Sequence, residues 1–125
     1  MTVSQLRPQE SVTLNTDVLE EMNVRLGYHK AETAICTAME DIAVLLQYTG
    51  TLLRTGDRKN LAVTARQIES LSERIGMDRL ARVATDVLRL CDRDDQAALG
   101  ATTARLRRVG ETSLIAIWDR EDLSI

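Results

Sequence analysis

From Asn15 onward, apolar side chains return at three- and four-residue steps in five separate runs, the period of helices that bury one face. The first run, Val18, Leu19, Met22 and Leu26, follows Asn15 and Thr16, either of which can cap a helix. Asp17 and Glu20 fall where acids suit the positive end of the helix dipole, and Gly27 can stop the helix. A longer helix is predicted from about Ala31 to Thr55, with Ile35, Ala38, Met39, Ile42, Leu45, Leu46, Leu52 and Leu53 on its stripe and Gly56 at its end. Asp57 opens a third helix with Leu61, Ala65, Ile68, Leu71, Ser72 and Ile75 on one face, closed by Gly76 as a left-handed cap. Asp78 opens a fourth, with Leu80, Val83, Ala84, Val87, Leu88 and Cys91 turned inward. The run Asp92, Arg93, Asp94, Asp95 reads as a turn and cap. A last helix then carries Leu99, Thr102, Leu106, Val109, Ser113 and Ile117 to about Trp118.

Nothing in the chain alternates with period two between hairpin turns, so no strand is expected. Long amphipathic segments joined by very short links favour antiparallel neighbours. The expected fold is therefore all-α, an up-down-up-down antiparallel four-helix bundle with a short extra N-terminal helix covering one end. Residues 1–13 are polar, hold the only proline, Pro8, and show no period, so they are expected to form a flexible leader. The bundle is expected over residues 14–119, with 120–125 as a tail.

Composition narrows the functional classes. A chain of 125 residues with 44% hydrophobic and 28% charged residues has the make-up of one folded domain. Its net charge of -3, and aromatics limited to Tyr28, Tyr48 and Trp118, argue against nucleic acid as a partner, because neither a basic footprint nor a stacking platform is present. No basic start followed by an apolar run resembles a secretory signal. No stretch approaches the roughly 18 to 20 apolar residues of a membrane helix either, so a cytoplasmic protein without a membrane partner is expected. Cys36 and Cys91 sit inside apolar helical patterns without CxxC spacing, which predicts two buried thiols.

Few residues carry recognisable chemistry. His29, the only histidine, is expected in the link between the first two helices, and with two distant cysteines it builds no zinc site. Asp92, Asp94 and Asp95 lack the spacing and glycine of a calcium loop, so turn and cap roles are expected. Neither a phosphate-cradling glycine loop nor a nucleophile elbow is present. The sequence therefore leads to no expected metal, cofactor or enzymatic activity. Arg105, Arg107, Arg108 and Arg120 make the last helix basic, which suits the dipole at its C-terminal end or an acidic partner surface.

One stretch carries a resemblance. LLRTGDRKNLAVT runs into ARQIESLSERIGMDRLARVATDVLRL. This is similar to the pattern of histidine-containing phosphotransfer (HPt) domains, in which a Gly-Asp turn opens a helix reading A-H-x-L-K-G-S-x-x-x-x-G. A helix with Leu-Ala at its start and an alanine one turn on follows it. Gly56 and Asp57 match the turn, Ala65 the residue before the histidine, Ile68 the buried apolar position and Gly76 the terminal glycine. Leu80, Ala81 and Ala84 match the next helix, without gaps. With LNTDVLEEMNVRLG as the short first helix, the resemblance covers about residues 14 to 118.

The departures fall on the chemistry. Arg66 stands where the family has its phosphorylated histidine, Glu69 where it has an assisting lysine, and Ser70 where it has a small glycine. A guanidinium stays protonated with its lone pairs delocalised, so it cannot accept a phosphoryl group. The resemblance thus implies the fold and the partner class, a response-regulator receiver domain or a histidine kinase, without phosphotransfer. Helix geometry adds an independent expectation. At about 100° per residue, Lys59, Ala62, Val63, Arg66, Ser70 and Glu73 lie opposite Ile68. Together with Glu69 they form a candidate partner-binding face with small, partly apolar side chains ringed by charge. The alternative is a structural or oligomerisation bundle with no phosphorelay partner.

Overall fold

The computed structural model describes residues 10–123, with side chains described to Arg120. Five helices follow one another: α1 (Thr16–Leu26), α2 (Tyr28–Thr55), α3 (Arg58–Arg74), α4 (Asp78–Cys91) and α5 (Gln96–Leu123). Among the described residues there is no strand, and no helix is long and apolar enough to cross a membrane. α2 packs on α3, α3 on α4, α4 on α5, and α5 back on α2, while α1 lies against α2. The predicted stripes converge in the centre of this bundle, except at Leu26 at the end of α1, which is exposed. Ile35 and Ile42 of α2, Leu61 and Ile68 of α3, Leu80 of α4, and Leu106 and Ile117 of α5 are all fully buried. Each such side chain contributes about 1.5–3 kcal/mol relative to leaving it in water.

The first link is shorter than expected. Gly27 alone separates α1 from α2, with φ 82, so α2 begins at Tyr28 and His29 lies in its first turn rather than in a link. Cys36, expected inside, is exposed, whereas Cys91 is buried. The reason is geometric, since residue 36 is turned about 100° from the buried Ile35 on the same helix. In α5 Ser113 is buried as expected, but the polar position buried near its start is Thr103, with Thr102 half-buried. One glycine contact and one arginine tie the helices tightly. α5 approaches α2 where Gly110 faces Leu46, leaving no room for a Cβ. Arg58, at the start of α3, donates to the Arg93 carbonyl and to Gln96 Oε1, both at 2.6 Å, and so locks the α4–α5 turn.

Both chain ends depart from the expected boundaries. α5 continues to Leu123, so residues 120–123 are helical instead of forming a tail, and residues 124–125 lie outside the described residues. Arg120 explains the continuation, because it pairs with Glu32 of α2 at 3.2 Å. Of the expected flexible leader, residues 1–9 lie outside the described residues, but the segment from Glu10 to Asn15 runs along the bundle as a strap. Val12 and Leu14 pack on the core. The Asn15 backbone N–H donates to the Gly76 carbonyl at 2.8 Å.

Glu10 anchors that strap. Its carboxylate accepts from Arg105 Nε and Nη2 at 3.0 and 2.6 Å and from Arg79 Nη1 at 2.9 Å. The bonds from Arg105, opposed by burial and aided by Arg79, pull its pKa from the ordinary 4.5 down to about 2. A carboxyl depressed in the folded state contributes stability above its unfolded pKa, and that contribution disappears as the pH falls through the folded value. The stability lost in Glu10→Gln, measured by urea unfolding, is therefore expected to be constant above about pH 4.5 and to vanish towards pH 2. A loss that stayed constant down to pH 2 would mean the ion pairs contribute nothing.

Candidate functional site

The candidate face is built on α3, whose start is set by Asp57. The Asp57 side chain accepts from the Asn60 backbone N–H at 3.1 Å and from Asn60 Nδ2 at 2.7 Å. The Asn60 side chain and then its backbone N–H hold the Asp57 carboxyl below the usual range. This cap fixes the register of the helix, and Arg66 follows about two and a half turns later. Behind it, Ala65 and Ile68 are completely buried against the neighbouring helices, so the side of α3 that bears Arg66 faces outward by necessity.

Of the seven predicted residues, Lys59, Val63, Arg66, Ser70 and Glu73 are exposed, and Ala62 and Glu69 are half-buried. Val63 is 47% exposed, an apolar side chain left in water beside Arg66 on the next turn. Among the described residues Arg66 makes no ion pair. Glu69 behaves differently from the rest. Its Oε2 accepts a 2.6 Å hydrogen bond from Thr85 Oγ1 of α4, so its charge is drawn across towards α4 rather than standing free on the outer face.

The structure adds a part of the site that the stripe of α3 alone does not contain. Between α2 and α3 runs an open groove of about 460 Å³, lined by Asp41, Val44 and Leu45 from α2 and by Gln67, Ser70, Leu71 and Arg74 from α3. Ser70 alone of the predicted residues lines it. Val44 is 67% exposed, and Tyr48, one turn on, is about half exposed. Of these two, Val44 lines the groove, and its offset from the buried stripe of α2 is the signal in the sequence that marks it. The arrangement can bind: it offers an unpaired cation, apolar side chains and a shallow trough of mixed polarity. It has no nucleophile set beside a base, and no three His, Cys, Asp or Glu residues among those described are grouped to hold a metal. No family model, curated protein or solved structure matches this chain.

Proposed function

We propose that this protein is a non-catalytic, HPt-like phosphorelay module, an up-down-up-down four-helix bundle with an extra N-terminal helix. It binds a response-regulator receiver or a histidine kinase without accepting phosphate. The observation that carries this reading is Arg66, exposed and without an ion pair on the outer side of α3, at the position where the resemblance implies a histidine. A guanidinium there reaches the acidic pocket of a receiver as a cation, can pair with its carboxylates, and holds the receiver in the unphosphorylated form. Val63, Ala62 and Ser70 supply the small contact surface around it.

The experiment is a titration of the protein against unphosphorylated and phosphorylated receiver domains encoded in the same genome. Micromolar binding to at least one, stronger for the unphosphorylated form, is expected. Binding to none of them at micromolar concentrations removes the reading. A second reading, an oligomerisation bundle, is favoured by Ile115 and Trp118 of α5, each 61% exposed. The solution mass tests it: a stable dimer that Ile115→Glu or Trp118→Glu returns to monomer supports the second reading, and a monomeric wild type removes it.

A further inference from the structure

The grip on Glu10 has the form of an anion-recognition site. Arg105 presents Nε and Nη2 as a fork to both carboxylate oxygens, and Arg79 adds a third N–H to one of them. Such a fork fits a phosphate as well as a carboxylate, since both place two oxygens at the required spacing. Asp86 lies beyond, 3.9 Å from Arg105 and 4.0 Å from Arg89. Three guanidiniums thus face two carboxylates, and a dianion in the position of the Glu10 side chain would bring the cluster to neutrality. Open clefts adjoin it on both sides. One of about 340 Å³ is lined in part by Arg89, Arg93 and Arg105, and one of about 250 Å³ lies beside the strap at Thr13, Arg79 and Arg82.

The occupant comes from outside the helices. Glu10 lies 69 and 95 positions from its two partners along the chain, on a segment with no helical hydrogen bonds of its own before Thr16. The arginines, by contrast, project from the packed helices α4 and α5. We propose that Arg79 and Arg105 form a binding site for a phosphate group, and that Glu10 is its built-in competitor, so that the strap and an external phosphate exclude one another. This site lies on α4 and α5, and it stands whether or not the face bearing Arg66 binds a receiver.

Binding of inorganic phosphate to the full chain, followed by NMR of the arginine Nε–H groups, tests it. A tethered competitor acts at an effective concentration in the millimolar range. Glu10→Gln is therefore expected to bind phosphate about five- to tenfold more tightly than the wild type, and Glu10→Gln/Arg105→Gln is expected to lose that binding. A phosphoserine peptide serves as a second probe. Tighter binding of the peptide identifies a protein-borne phosphate as the ligand, and equal binding identifies the free ion. In the wild type, the Glu10 carboxyl carbon resonance should shift as phosphate displaces it, a readout that needs no substitution. Equal phosphate affinity in wild type and Glu10→Gln, or an unmoved Glu10 resonance at saturating phosphate, overturns the proposal.

Discussion

Gly76→Ala is expected to destabilise the protein by about 3 kcal/mol, whereas Gly56→Ala should cost only about 1 kcal/mol, although both glycines have the same backbone shape. Gly76 has φ 77 and Gly56 φ 75, so each substitution incurs the penalty of a left-handed conformation for a residue with a Cβ. The surroundings differ. A Cβ on Gly56 meets nothing within 4 Å, while one on Gly76 lies 2.6 Å from the Asn15 carbonyl oxygen, a backbone atom that cannot rotate aside. Moving Asn15 away stretches three bonds at once: its N–H to the Gly76 carbonyl, its side-chain amide to Asp78 Oδ2 at 2.9 Å, and its cap of the Val18 N–H at 3.4 Å. A lost cap costs about 1 kcal/mol and a lost hydrogen bond about 0.5–1.5 kcal/mol. Urea unfolding of the two variants side by side decides the matter, and equal losses would mean that the strap does not press on the α3–α4 turn.

That contact also shows where sequence reasoning stops. The starts and ends of the helices are local events. Gly27, Gly56 and Gly76 are legible as stops because they interrupt apolar stripes, and Asp57 is legible as a cap because it precedes one. The orientation of α3 follows in the same way, since placing Ile68 inside turns Arg66 outside within a single helix. What lies between helices is not local. Glu69 and Thr85 are 16 residues apart, Glu32 and Arg120 are 88 apart, and no period within one helix announces either pair. The contribution of α2 to the groove was hidden for the same reason. Val44 looks like a minor irregularity of a helical stripe until α3 is laid beside it. Glu10 was the hardest to read, because a single acid in a polar, proline-bearing segment has no pattern of its own. Its meaning depends on two arginines brought together only by the packing of α4 on α5.

Arg66→Glu is expected to weaken binding to a cognate receiver about a hundredfold, close to 2.8 kcal/mol, while leaving stability unchanged. Both halves follow from position. The side chain is exposed and makes no ion pair among the described residues, so the fold neither gains nor loses a bond by the exchange, and a surface substitution of this kind shifts stability by less than about 0.5 kcal/mol. In the complex the same position would face carboxylates from which water is excluded. Reversing a charge there replaces attraction with repulsion at short range, which costs several kcal/mol where a rim charge costs far less. Lys59 and Glu73 lie on the same face, seven residues to either side of Arg66, about two turns away, and their reversal should change affinity by less than about tenfold, mainly through the association rate and its salt dependence. A graded response centred on Arg66, with the thermal midpoint constant throughout, is the pattern required by a docking face on α3. Uniform small effects at all three positions would instead mean that the outward side of α3 is an ordinary solvated surface.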